Sequence, residues 1–139
     1  MSEHALMTEI RAAMAERSDV LVWRNNTGRF WTIPRTATCS HCDGNLLSGQ
    51  AIKGAYQTVC GLGLGSPDLI AVQRVEVAGH AFGRFVGIEV KTPTGRVSPD
   101  QTRWIDAVRS YGACVGTARS VGEALTRLGP LSSAIGRTA

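Results

Sequence analysis

A chain of 139 residues, 43% apolar and 19% charged, has the balance of one globular domain with one modest core. Its net charge is +4, and thirteen of its fifteen basic residues are Arg. Arg grips phosphate bidentately and stacks on bases, which leans towards nucleic acid, although a GC-rich coding bias gives the same excess. No apolar run approaches the roughly 18 residues of a membrane span, and an N-terminus with Glu3 and Glu9 lacks the basic start and apolar stretch of a signal peptide. Without that signal, four Cys argue against a disulfide framework, so the expectation is a cytoplasmic protein with no membrane partner.

In chain order, residues 3–17 read as an amphipathic helix after a Ser2 N-cap, with Leu6, Ile10, Ala13 and Met14 on one face. Glu9 borders that face. Val20 to Trp23 reads as a strand, Arg24 to Gly28 as a turn, and Phe30 to Ile33 as a return strand. Pro34 to Gln50 shows no clear period, and residues 51–60 are weakly strand-like. Gly61 to Gly65 leads into Ser66-Pro67-Asp68, followed by a strand over 69–77, a turn over Gly79 to Gly83 and a strand over 85–91.

Ser98-Pro99-Asp100-Gln101 is a complete helix start, with an N-cap Ser, Pro at the first helical position and Gln closing a capping box. Trp104, Ile105 and Val108 form the helix's apolar face, and Tyr111-Gly112 ends it. A short strand over 113–118 precedes a last helix, capped by Ser120 with Glu123 and stopped by Gly129-Pro130. The expected architecture is one domain over 1–129, an α/β fold with a mixed central sheet flanked by helices, and a loose tail over 130–139.

The chemistry gathers between Ser66 and Gln101. A hairpin turning near Gly79-His80 sets Asp68 opposite Lys91 and Ile70 opposite Glu89, with opposed Cβ atoms ~5 Å apart. Glu89 and Lys91, two residues apart, share one face of their strand. Two carboxylates beside an ammonium make a hard-cation site suited to Mg²⁺, with the Val90 carbonyl as a further ligand. An ordinary edge-strand ion pair would use the same residues.

Ser66-Pro67-Asp68 followed by Glu89-Val90-Lys91 resembles the PD-(D/E)XK nuclease motif. Trp23-Arg24-Asn25, Gly65 to Leu69, Glu89 to Thr92, Gly95-Arg96, Ser98 to Gln101 and the strand and helix around Gly116 to Leu125 resemble the VRR-NUC family more narrowly. The resemblance implies a restriction-endonuclease-like fold, with Asp68 and Glu89 as metal ligands and Lys91 as the catalytic lysine. Glu9 matches the helix-one acid of the metal site, and Gln101 the glutamine beside the lysine. It also implies a Mg²⁺-dependent DNA endonuclease (Mn²⁺ substituting), acting in stand-alone members as a homodimer on branched DNA in the manner of a Holliday-junction resolvase.

Arg24 and Asn25, with Arg96 and Arg103 flanking the site, are candidates for contact with nucleic acid. Trp23, Phe30, Trp31 and Tyr56 fit either that role or a hairpin core. Cys39-x-x-Cys42 has zinc-ligand spacing and Cys60 supplies a third thiol, and a complete site needs a fourth ligand from Cys114, a distant His or a partner chain, so structural zinc stands beside plain reduced thiols. Two rival readings follow: a nucleic-acid-binding module of the same fold that does not cut, and an interaction protein stabilised by zinc.

Overall fold

The computed structural model describes residues 1–32 and 56–130. Their elements run α1 (Glu3–Ala15), β1 (Val20–Arg24), β2 (Gly28–Thr32), β3 (Tyr56–Cys60), β4 (Leu69–Val77), β5 (His80–Val90), α2 (Pro99–Ser110), β6 (Cys114–Ala118) and α3 (Val121–Leu128). Four strands make a mixed sheet in the order β1-β4-β5-β6, antiparallel except for the β5–β6 pair. The expected mixed sheet with flanking helices is what the chain forms.

Alternation along the strands decides which helix covers which face. Leu69, Ala71, Val86, Ile88 and Val90 point one way and are buried with Leu6, Met7, Ile10 and Met14 of α1 and Ala124 and Leu128 of α3. Helix α2 lies on the opposite face, where Trp104 meets Phe85 with ring centroids 6.4 Å apart. Ser2 caps α1 through the Ala5 N–H at 3.2 Å. Ser98 and Gln101 close the expected capping box on α2.

Two expectations need correction. Strand β2 does not return along β1: β1 pairs with β4, and β2 pairs with β3 in a separate two-stranded sheet. The reason lies at Asn25, whose N–H donates to the Asp68 carbonyl at 2.7 Å and carries the chain past the start of β4. On the small sheet Phe30, Trp31 and Tyr56 are about half exposed, so they are not a hairpin core.

The β4–β5 turn is also tighter than expected. Val77 pairs with His80 across Ala78-Gly79, and both turn residues have positive φ (51° and 80°), as a two-residue primed hairpin requires. Gly79 to Gly83 is therefore not a loop, since β5 starts at His80. The pairing joins Leu69 to Ile88 and so sets Asp68 across from Glu89, where Lys91 was expected. That slip is two residues, and an even slip preserves the faces.

At the far end of the sheet a buried polar network closes the C-terminus of α3. Arg17 pairs with Asp19 at 2.7 Å and donates to the Gly129 carbonyl at 2.7 Å. Gln73 donates to Asp19 (2.9 Å) and to the Leu128 carbonyl (3.0 Å), while Arg84 donates to Gln73 at 2.6 Å. Cationic side chains on terminal helix carbonyls are favourable. The hydrogen bond from Arg17, with help from Gln73 and against the cost of burial, holds the Asp19 carboxyl down at about 2.

Candidate active site

The site is assembled where β4 begins and β5 ends. Pro67 is buried against Gly87, where an added Cβ would lie 2.9 Å from the Pro67 ring and 3.0 Å from Val115. Glycine at 87 thus lets the Ser66-Pro67-Asp68 turn lie on the sheet. Asn25 fastens the same turn, its side-chain amide donating to Ser66 Oγ and to the Pro67 carbonyl, each at 2.9 Å. Asn25 thereby positions the turn, and it also lines the cleft beside Asp68 and Glu89.

Asp68 Oδ2 accepts the Val90 N–H at 2.8 Å. The Val90 carbonyl faces the same side of the strand, because one residue's N–H and C=O point together. Glu89 is 1% exposed, and its Oε1 accepts from Lys91 Nζ at 2.7 Å and from Gln101 Nε2 at 2.5 Å. Gln101 Oε1 meanwhile accepts the Ser98 N–H at 2.8 Å. One side chain therefore caps α2 and orients Glu89. The capping reading of Gln101 holds, and the same side chain reaches Glu89.

Burial dominates the electrostatics. It pushes the Glu89 carboxyl up to about 7 against the hydrogen bond from Lys91, and the nearby Asp68 charge adds to the rise. Asp68 is raised for the same first reason, opposed by the Val90 N–H and the Lys91 charge. Burial alone would lower Lys91, yet the bond to Glu89 and the surrounding acids outweigh it and raise the ammonium.

These are carboxylates short of positive charge. Among the described residues no three His, Cys, Asp or Glu side chains form a metal cluster. The donor set is the two opposed acids, whose hydrogen bonds fall on Oδ2 of Asp68 and Oε1 of Glu89 and leave Oδ1 and Oε2 as acceptors. Two oxygens beside a backbone carbonyl suit a hard cation that keeps several waters.

Helix α1 does bring an acid to the site, but it is Glu3 and not Glu9. Glu3 Oε1 lies 3.4 Å from Lys91 Nζ. Glu9 is exposed and follows six residues later, which at 100° per residue turns it about 120° away from Glu3. The helical period separates the two: Glu3 stands three, four and seven residues before Leu6, Met7 and Ile10 and so continues the buried stripe, whereas Glu9 lies off it. Arg119 was also missed; its guanidinium donates to the Thr92 and Pro93 carbonyls and pins the chain leaving Lys91.

Two clefts meet at Asp68. One, of 160 Å³, is lined by Glu3, His4, Met7, Arg24 and Asp68. The other, of 250 Å³, is bounded by Thr27, Leu64, Asp68, Glu89, Ser98 and Gln101 among others. Arg24 thus lies beside the carboxylates, Arg96 is exposed on the loop after Lys91, and Arg103 is exposed on α2 and paired with Asp100. A larger cleft of 450 Å³ lies towards the other end of the sheet, among Leu21, Val72 and Phe82, away from these acids. Cys39 and Cys42 fall outside the described residues, as does the tail over 131–139; Cys60 ends β3 and is exposed.

A mixed sheet that presents two opposed acids, a buried lysine and a helix-start glutamine at one strand end has the layout of a nuclease-type α/β domain. The model of the VRR-NUC domain matches residues 37–122, and the chain belongs to that family. Its fold is accordingly restriction-endonuclease-like. No curated protein and no solved structure matches the chain. No helix among the described residues is long and apolar enough to cross a membrane.

Proposed function

We propose that the protein is a Mg²⁺-dependent DNA endonuclease that hydrolyses phosphodiester bonds, with Mn²⁺ as a substitute ion. The observation that carries this reading is Glu89, buried between Lys91 and Gln101 and set across from Asp68. A carboxylate is costly to bury, and one kept buried beside a second acid in a cleft supports a functional site.

Asp68 and Glu89 would hold the ion, with the Val90 carbonyl on the same side. When bound, the ion supplies Lewis acidity towards the scissile phosphate and a water of lowered pKa. Lys91, held by Glu89 at 2.7 Å and Glu3 at 3.4 Å, presents a fixed ammonium to the phosphate oxygens, where negative charge grows in the transition state. Gln101 keeps Glu89 in place and sits in the first turn of α2, whose positive end favours an anion. Arg24, Arg96 and Arg103 stand around the site as contacts for the nucleic-acid backbone. By family resemblance the reading extends to a homodimer acting on branched DNA.

The test is a cleavage panel of single-stranded, duplex, flap and four-way-junction DNA with purified protein and Mg²⁺ or Mn²⁺. Chelation should abolish cutting. Lys91→Ala should bind DNA and cut it at least about 100-fold more slowly, the usual scale for losing one charge-stabilising group. Full activity in Lys91→Ala would sink the assignment, and retained binding without turnover in the unaltered protein would favour a non-cleaving module.

A further inference from the structure

The loop that delivers Asp68 carries two leucines that the packing leaves outside. Leu62 and Leu64 alternate with Gly61, Gly63 and Gly65, and they are 48% and 76% exposed. A lone surface leucine needs no explanation. This pair differs because the backbone beneath it is fixed. Gly61 and Gly65 adopt φ of +88° and +84°, and a Cβ at either would collide, with Thr27 at the first and with the Asp100 carbonyl of α2 at the second. The Gly63 carbonyl accepts the Ser66 N–H at 3.2 Å and the Ser66 hydroxyl at 2.8 Å. That hydroxyl also meets Thr27 Oγ1 at 2.7 Å and Asn25 Nδ2 at 2.9 Å.

The loop is therefore clamped to α2 on one side and to the segment after β1 on the other. Between the clamps the leucine side chains stand in water, at a cost in hydration that this fold does not recover. Leu64 also lines the 250 Å³ cleft that holds Asp68, Glu89 and Gln101. The floor of that cleft is polar and charged, and part of its rim is apolar and held in place. A nucleotide has the matching pair of parts, an anionic phosphate and a flat apolar base. A leucine inserted at a base step is a known way for proteins to unstack DNA.

We propose that Leu64, with Leu62 beside it, is a wedge that packs against the nucleobase next to the cleaved phosphodiester. The inference rests on the nuclease reading above and adds what sets specificity: the wedge favours DNA whose bases at the cut are unpaired or easily unstacked, as at flaps and junctions. Leu64 is a specificity-determining residue and takes no part in the phosphate chemistry.

The experiment measures single-turnover cleavage of the best substrate in the panel by the full chain and by Leu64→Ala, with Leu64→Met as a conservative control. The same DNA is then made with an abasic nucleotide on each side of the cut bond in turn. Leu64→Ala should be slower by about tenfold on the intact substrate, the scale of losing most of one buried leucine contact, and Leu64→Met within about twofold of the unaltered protein. On one of the two abasic substrates the Leu64→Ala deficit should vanish, because no base remains to contact. A deficit equal on all three substrates, or none on any, overturns the wedge while leaving the nuclease intact. A change of sedimentation mass in Leu64→Ala also overturns it, in favour of contact with a second copy. If the unaltered protein cuts no DNA with either ion, the nuclease reading itself fails and the wedge with it. Thermal unfolding of Leu64→Ala should match the unaltered protein, since the side chain is mostly in water.

Discussion

Glu89→Gln should make the metal-free protein more stable at alkaline pH while destroying its activity. Burial lifts the Glu89 carboxyl from 4.5 to about 7, even with Lys91 Nζ 2.7 Å away. At about 1.4 kcal/mol per unit, that gap is roughly 3 kcal/mol of folding free energy. The folded value lies above the unfolded one, so this contribution is fully present below pH 4.5 and is lost as pH rises through 7. Gln keeps the shape and carries no charge, so it has nothing to lose on that climb. Urea unfolding followed by circular dichroism, in chelator, should therefore show the variant gaining on the unaltered protein by up to roughly 3 kcal/mol between about pH 5 and about pH 8.5. Added Mg²⁺ at the upper pH should stabilise the unaltered protein and leave the variant where it was. A stability difference that stays constant across this range would refute the account of Glu89 as a carboxylate whose charge is disfavoured by burial.

Other outcomes test the scaffold. Asp19 is held down at about 2 from 3.8, chiefly by Arg17, so its contribution is present above pH 3.8 and is lost as pH falls through 2. Asp19→Asn should cost about 2 kcal/mol near neutral pH, and the deficit should shrink as unfolding is measured at progressively more acid pH; a deficit independent of pH would refute this. Ala78 sits at a φ of 51°, which Asn tolerates better than Ala, and Asn-Gly is the favoured two-residue hairpin turn. Ala78→Asn should raise stability by about 0.5–1 kcal/mol in denaturant titration, and an unchanged midpoint would argue against the turn geometry.

The elements that read clearly in the sequence are those whose signal is local. The α2 start was fully written in Ser98 to Gln101, because a capping box closes within four residues. Asp68, Glu89 and Lys91 stand out in the sequence because strand alternation puts charges on one face and because their order resembles a family motif. What failed depended on distance. Strand β2 was given to β1 because neighbours usually pair, yet one Asn25 hydrogen bond to the Asp68 carbonyl sends the chain elsewhere. The hairpin register was two residues out, since the glycines at 79 and 83 advertised a turn while Ala78 carried its first half. Glu3 is distinguished from Glu9 by standing in line with Leu6, Met7 and Ile10, but that this face of α1 meets the end of β5 is set by tertiary packing. The network of Arg17, Asp19, Gln73 and Arg84 left no trace because its partners are up to 112 residues apart.

The shared amide of Gln101 ties the geometry of the candidate site to the fraying of one helical turn. Its oxygen caps α2 and its nitrogen donates to Glu89, so opening of the first turn of α2 would leave the buried carboxylate held by Lys91 alone. Local opening there would loosen the site in a protein that is otherwise folded, and exchange of the Ser98 and Gln101 amide protons would report how often it happens. Helix caps are usually counted as increments of stability. This one also orients a buried acid.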